Sequence, residues 1–286
     1  MNPRFDNSQS VSASTGHTND KCWLKHALKS GELKLFSHRS YYDNTQEETS
    51  CIESLTQLKD IGVTHLDLDL CLDQSDSALS LVVAHPMEFK HELNYYSPCA
   101  NTDFDEMIQA LEHVYGNDFF ISMEPKAAWG NTAQELNDAA LTSLPSSIMK
   151  VLFDKIEQHD LRGKCAVILE INTEAHDGHE IRLERSLLKN ILSYCQLFKG
   201  IRLKDDTPFA LGEYDMIMPT IEFHPSHPHN FNGEVIARDL WSKSIFWVVD
   251  NEQDLVFAAE LHPFGIVSNA PRMIVDIVES SSWCDR

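Results

Sequence analysis

The stretch "HLDLDL", His65–Leu70, alternates with a period of two. A strand built from it carries Asp67 and Asp69 on one face and Leu66, Leu68 and Leu70 on the other. In a parallel barrel the acid-bearing face points inward, and the rest of the chain calls for that architecture. From Leu33 onward, short apolar runs alternate with longer segments of helical period, the pattern of repeated strand and crossover-helix units. The candidate strands are Leu33–Ser37, His65–Leu70, Leu81–Ala84, Phe119–Glu124, Ala166–Ile171, Gly200–Leu203, Met216–Glu222, Ile245–Val249 and Gly265–Ser268. An α/β chain of this kind closes as a (β/α)8 TIM barrel with about eight strands, so one of these candidates is surplus.

Helical spacing covers Gln46–Ile61, which stops at Gly62, a residue suited to the left-handed position after a helix. The device repeats at Asp103–Tyr115, where Asp103 is the cap and Gly116 the stop. Further helices are predicted at Ser146–His159, Leu183–Phe198 and Gln253–Leu261. A chain of 286 residues suits one α/β barrel, a fold that reaches ~250 residues around a single core. The expected organisation is a flexible polar leader over residues 1–21 and a single barrel domain over residues 22–286.

The formal charge of −21 opposes polyphosphate backbones and anionic lipid surfaces unless a local basic pocket exists, which removes nucleic acid from the expected partners. No apolar run approaches the ~18–20 residues of a membrane span. The leader lacks the apolar segment of a secretory signal. Seven cysteines, an odd number without close pairs, predict mostly reduced thiols in an intracellular compartment, with cytoplasm as the default and a local Cys71–Cys99 pair left open. The oligomeric state is not legible.

Two carboxylates side by side in a low-dielectric interior repel, so Asp67 and Asp69 call for a cation between them, and hard oxygen ligands suit Mg²⁺ or Ca²⁺. A lone Asp-x-Asp is explained equally well by capping or a salt bridge at a strand end. "SMEPKA", Ser122–Ala127, puts Glu124 and Lys126 on one face at the end of an apolar run, where an exposed ion pair is the alternative. "LKLFSHRSYYDNTQEET", Leu33–Thr49, ends its strand on His38 and Arg39, and "VVAHP", Val82–Pro86, ends on His85. What sets these residues apart is position, because catalytic side chains of such barrels gather at the carboxyl ends of the strands. Three acids, two cations and two imidazoles at successive strand ends suit a phosphodiester: a metal on the carboxylates, cationic groups on the non-bridging oxygens, and histidines titrating near neutrality for proton transfer.

These residues resemble the glycerophosphodiester phosphodiesterase family, within the wider group of phospholipase C-like barrels that includes sphingomyelinase D-type enzymes. "FSHRSYYDNTQEETSCIESL" is similar to the family's opening His-Arg and its Glu-Asn-Thr signature, with Glu47 and Thr49 on that signature and Glu48 in place of Asn. "HLDLDLCLD" resembles the Glu-x-Asp metal strand, Asp67 standing where Glu is usual. "LVVAHP" corresponds to the strand of the second histidine, with Pro86 replacing an acidic neighbour, and "SMEPK" to the Glu-x-Lys element. "FWVVDNEQDLVFAAELHPFGIVSNAP" resembles the Trp-bearing seventh strand and the final strand-to-Pro turn. The resemblance covers Leu33 to Pro271. It implies His38 and His85 as acid and base, Asp67, Asp69 and Glu124 as ligands of one Mg²⁺ or Ca²⁺, and Arg39, Lys126 and Trp247 as substrate-binding residues. The segment Pro86–Asn101 is shorter than the insertion usual in the glycerophosphodiesterases.

The activity this implies is metal-dependent cleavage of a glycerophosphodiester or of a lysophospholipid or sphingolipid headgroup, giving a monoester, or a cyclic product if a neighbouring hydroxyl attacks. The substitutions at Asp67, Glu48 and Pro86 motivate an alternative, a barrel that binds ligands or acts as a scaffold without turnover. A glycoside hydrolase would also use paired carboxylates, but Arg39 and Lys126 have no task on a neutral sugar. "EFHPSHPHN", Glu222–Asn230, reads as a rigid polar loop rather than a second metal or headgroup site, Asp250 as a cap for the next helix, and Trp23 and Trp241 as packing residues.

Overall fold

The computed structural model describes residues 17–43, 50–73, 80–85, 97–126, 140–170, 192–201, 214–224, 227–231 and 238–280. In chain order these form α1 (His17–Ser30), β1 (Lys34–His38), α2 (Cys51–Asp60), β2 (His65–Asp73), β3 (Ser80–Val83), β4 (Thr102–Asp103), α3 (Phe104–Tyr115), β5 (Phe120–Pro125), α4 (Ala140–Gln158), β6 (Cys165–Glu170) and β7 (Gln196–Ile201). There follow β8 (Met216–Pro219), β9 (Ile221–His224), β10 (His227–Phe231), a 3-10 turn (Arg238–Lys243), β11 (Ile245–Phe246), α5 (Glu252–Leu261), β12 (Gly265–Ser268) and α6 (Pro271–Ser280). Helix α1 begins inside the span read as leader.

The strands run β11-β12-β1-β2-β5-β6-β7-β8, all parallel. Parallel bridges Ile217–Ser244 and Thr220–Trp247 join β8 to the β11 segment and close the circle. The surplus candidate is therefore Leu81–Ala84. It lies in β3, which folds back antiparallel along the upper half of β2, pairing Leu70 with Val83 and Asp73 with Ser80.

Alternation along the strands separates two apolar layers. Phe36, Ala166, Ile168, Phe198, Met218, Ile245 and Val267 fill the barrel, with His65 stacked on Phe120 and edge-on to Phe36 beside them. The opposite faces, including Leu35, Leu66, Leu68, Ile121 and Val167, pack against the helices. Gly265 is required where β12 passes β1, because a Cβ there would lie 2.9 Å from the Lys34 carbonyl oxygen and 3.0 Å from the Phe36 ring. Trp23 stacks on His262 and Trp241 packs against the outer core, the structural roles expected of them.

Several expectations are corrected. Strand β7 begins at Gln196, so the C-terminal end of the helix predicted over Leu183–Phe198 is strand; a short apolar run such as Leu197–Phe198 fits either period. The strand predicted over Met216–Glu222 divides at Thr220, and the described residues of "EFHPSHPHN" pair as two antiparallel strands where a loop was expected, with His224 opposite His227 and Glu222 opposite Asn230. The thiols are not mostly reduced: Cys51 pairs with Cys99 and Cys165 with Cys195, and Cys22 is also disulfide-bonded. The Cys71 thiol, far from pairing with Cys99, donates to the Ala84 carbonyl oxygen at 3.0 Å. Sequence spacing misses these pairs because the cysteines meet across elements, Cys51 and Cys99 being 48 residues apart. Among the described residues no helix is long and apolar enough to cross a membrane. Glu47, Glu48, Thr49 and Pro86 lie outside the described residues.

Candidate active site

The barrel's polar end is set by register. Pairing of β1 with β2 aligns His38 with Asp67, and pairing of β2 with β5 aligns Asp67 with Ser122 and Asp69 with Glu124. All five therefore leave neighbouring strands on the inner face at the carboxyl end, where the (β/α)8 fold places its functional side chains. His85 arrives differently from the expectation that it closes a barrel strand. The antiparallel return of β3 brings it down beside β2: the Ala84 N–H donates to the Asp69 carbonyl at 3.1 Å, and His85 acts electrostatically on the Asp69 carboxylate.

Arg39 reaches the site from a turn of unusual backbone. Arg39 and Ser40 have φ of 51° and 63°, a left-handed conformation that side chains disfavour and that persists only where surroundings enforce it. Here the Arg39 N–H donates to the Asp67 carbonyl at 2.7 Å and the Tyr41 N–H to that of His38 at 3.0 Å. The hydroxyls of Ser37 and Ser54 donate to the carbonyls of Tyr41 and Ser40 at 2.6 and 2.5 Å. So held, the Arg39 guanidinium lies 2.6 Å from one Asp69 oxygen while Lys126 Nζ lies 3.3 Å from the other. Lys126 also pairs with Glu124.

The carboxylates are unequal. Burial alone would raise Asp69, but Lys126 and Arg39, helped by His38 and His85, outweigh it and hold this acid well below the usual carboxylate range. Burial pushes Asp67 up to about 7, with the Asp69 charge adding to the shift; the Ser122 hydroxyl, which donates to Asp67 Oδ1 at 2.6 Å, opposes it, as do Lys126 and Arg39. Among the described residues, no three acid, His or Cys side chains close around one point as a metal cage.

His38 has a defined tautomer. Its Nδ1 is 2.6 Å from Asn269 Oδ1. The Asn269 amide nitrogen donates to Asp250 Oδ2 at 2.6 Å and the Asn269 main-chain N–H to Asp250 Oδ1 at 2.7 Å. An amide that donates on one side must accept on the other, so Nδ1 of His38 carries the proton and Nε2 keeps a lone pair. Burial, followed by the Arg39 charge, lowers His38 to about 4, so the imidazole is neutral at pH 7. Asp250 was expected to cap the following helix; Asn251 is the cap instead, accepting from the Asp254 N–H at 2.9 Å. Asp250 faces Asn269 and Ser268, whose hydroxyl donates to it at 3.0 Å.

Trp247 packs against the apolar filling of the barrel, and its Nε1–H donates to the Met218 carbonyl at 2.8 Å. The site thus gathers His38, Arg39, Asp67, Asp69, His85, Glu124 and Lys126, with Trp247 in the wall formed by β8 and β11. Sequence reasoning missed Asn269, Asp250, Ser122 and Ser54. The signal for Asn269 was its place in the final "SNAP" turn; nothing local marks the two serines.

No protein-family model matches this chain and no curated protein matches it. Solved structures do. A glycerophosphodiester phosphodiesterase from Parabacteroides distasonis superposes with a TM-score of 0.55 at 15% identity, over 87% of this chain and 98% of that one. The barrel is a glycerophosphodiester phosphodiesterase-like fold. A candidate enzyme of the same name from Galdieria sulphuraria gives a TM-score of 0.55 at 12% identity, over 87% and 98% of the two chains. At these identities the likeness is one of fold, spanning nearly the whole of each glycerophosphodiester phosphodiesterase-like structure.

Proposed function

We propose that the chain is a phosphoric diester hydrolase acting on a glycerophosphodiester or a lysophospholipid or sphingolipid headgroup. The observation that carries this reading is the neutral, oriented His38 beside the Arg39–Asp69–Lys126 cluster. A general base needs a lone pair at working pH and a fixed direction, and Nε2 of His38 has both. It takes the proton of the attacking water or neighbouring hydroxyl, and His85 returns one to the leaving alcohol. Arg39 and Lys126 hold the non-bridging oxygens, a task that suits a guanidinium fork and a mobile ammonium. Trp247 supplies an apolar wall for the headgroup.

Asp67, Asp69 and Glu124 are the oxygen donors that would hold one hard divalent cation, Mg²⁺ or Ca²⁺, and they would have to draw together to do so, since among the described residues no three such side chains close around one point. Lys126, paired with Asp69 and Glu124, is a positive stand-in among the same acids. The ion would supply Lewis-acid stabilisation of the phosphoryl charge. One observation favours the rival reading of a binding or scaffold barrel without turnover: each of the three carboxylates already has a protein partner, Ser122, Arg39 or Lys126.

The disulfides favour maturation in an oxidising compartment over the reducing cytoplasm, where such bonds are rare. The test of function is ³¹P NMR of glycerophosphocholine, lysophosphatidylcholine and sphingomyelin incubated with the protein and Mg²⁺ or Ca²⁺. A monoester or cyclic phosphate is expected from at least one, and none from His38→Ala. Full turnover by His38→Ala removes that residue from the reaction. Absence of both turnover and heat of cation binding in the unaltered protein leaves the scaffold.

A further inference from the structure

Thr220 sits where β8 ends and the chain steps into β9. Its register partner is Trp247, and the bonds on either side fix it there: the Trp247 N–H donates to the Pro219 carbonyl at 3.1 Å and the Ile221 N–H to the Trp247 carbonyl at 2.8 Å. Alternation sets its direction. Met218 belongs to the barrel filling and Ile221 to the outer core, so Thr220 faces inward, one step beyond Met218 toward the carboxyl end. Around the circle, β5, β6 and β7 separate β8 from β2 one way and β11, β12 and β1 the other. Thr220 therefore stands across the mouth from the strand of Asp67 and Asp69.

The residue is 8% exposed. Its hydroxyl oxygen is shielded from bulk water and, among the described residues, has no hydrogen-bond partner. Buried hydroxyls are nearly always paired, and one left unpaired costs stability. A threonine commonly satisfies itself on nearby backbone. Here the adjoining carbonyls of Pro219 and Trp247 are engaged by the ladder, and that of Met218 by the Trp247 Nε1–H at 2.8 Å. With its indole N–H spent on Met218, Trp247 brings apolar surface to this wall, and Thr220 brings a hydroxyl that both donates and accepts.

We propose that Thr220 is a substrate-binding residue that sets specificity, its hydroxyl pairing with a hydroxyl on the group esterified to the phosphate. This rests on the phosphodiesterase reading above, in which Arg39 and Lys126 hold the phosphate on the opposite side of the mouth. One step about χ1 exchanges the hydroxyl and methyl positions of a threonine, so the oxygen reaches the open part of the residue without backbone movement. A polyol such as glycerol satisfies it. A quaternary ammonium or an alkyl chain has neither donor nor acceptor to offer and leaves it unpaired. A site built to bond a hydroxyl discriminates against analogues that lack one.

Glycerol 3-phosphate and propyl phosphate differ only in hydroxyl groups, and isothermal titration of both, with and without Mg²⁺, reads the preference apart from turnover. The unaltered protein is expected to bind glycerol 3-phosphate about tenfold more tightly. Thr220→Val keeps the branched shape and loses the hydroxyl. It is expected to weaken glycerol 3-phosphate by about tenfold, to leave propyl phosphate unchanged, and to keep or raise Tm, because no pairing is lost in the free protein. Thr220→Ser is expected to keep the preference. A hydroxyl that serves the fold alone would instead give a Thr220→Val protein that unfolds early or not at all cooperatively and binds both probes equally weakly. That result, retention of the full preference by Thr220→Val, or equal binding of the two probes by the unaltered protein overturns the inference and leaves the phosphodiesterase reading standing. An unaltered protein that binds neither probe in either buffer removes the phosphate site, and this inference with it.

Discussion

Asn269 links His38 to Asp250 through the two ends of one amide, accepting from the imidazole Nδ1 at 2.6 Å and donating to the carboxylate at 2.6 Å. Neither Asn269 nor Asp250 need touch substrate for this to matter, because the pair decides which histidine nitrogen is free to accept a proton. Asn269→Ala is expected to lower kcat by roughly 10–100-fold, less than the 10²–10⁴ that a positioned general base itself contributes, with KM nearly unchanged. Equal losses through KM would show that Asn269 acts in binding instead.

Arg39 and Asp69 form an ion pair with Asp69 only 5% exposed. Removing one partner of such a pair leaves an uncompensated buried charge, at a cost of about 3–5 kcal/mol. Lys126 moderates that by remaining beside Asp69, so Arg39→Met is expected to destabilise by about 3 kcal/mol. The double variant Arg39→Met/Asp69→Asn should recover most of this loss. Chemical denaturation of the full cycle measures the coupling.

The left-handed turn at Ser40 gives an opposite trade between stability and activity. Ser40→Gly removes a Cβ from a residue with φ of 63° and is expected to stabilise the fold by about 0.5–1 kcal/mol, raising Tm by a few degrees. The same change loosens the turn that aims Arg39, so kcat/KM should fall severalfold. A stabilised variant with undiminished kcat/KM would show that the turn's strain does not serve the site.

His65 lies against Phe36 and Phe120 inside the barrel, its pKa lowered to about 4 by burial and then by Lys34, against the pull of Asp118. In the unfolded chain it takes a proton near 6.5. Between these values the unfolded state binds more protons, so the stabilisation is full above about pH 6.5 and is lost as pH falls toward 4. Its size is on the order of 3 kcal/mol. Thermal unfolding of His65→Phe should show a shallower fall in Tm from about pH 7 to 4.5 than the unaltered protein, His38 supplying part of the remaining slope. Parallel Tm profiles would assign the acid sensitivity elsewhere.

The Cys51–Cys99 bond ties the start of α2 to the turn before β4, across 48 residues. A loop of that length corresponds to about 4 kcal/mol in the chain-entropy account. Cys51→Ser is expected to lower stability by about 2–4 kcal/mol, and reductant to lower the Tm of the unaltered protein far more than that of a Cys51→Ser/Cys165→Ser variant. Insensitivity to reductant would mean that the bonds do not carry the fold.

The alternation of "HLDLDL" and the spacing of helical segments are local properties of the chain. They were enough to determine an eight-stranded parallel barrel, the inner-face placement of Asp67 and Asp69, and the strand-end positions of His38, Arg39, Glu124 and Lys126. Asp103 and Gly116 bounded their helix as expected for the same reason, since caps act within a single turn. Three-dimensional pairing decided the rest. That Leu81–Ala84 turns back antiparallel and delivers His85 to Asp69 depends on strand partners, which period-two patterning does not name. The partner of His38 lies 231 residues away, and Ser122 meets Asp67 only through the register of β5 on β2. Periodicity determines which way a side chain faces; closing the barrel determines what it faces.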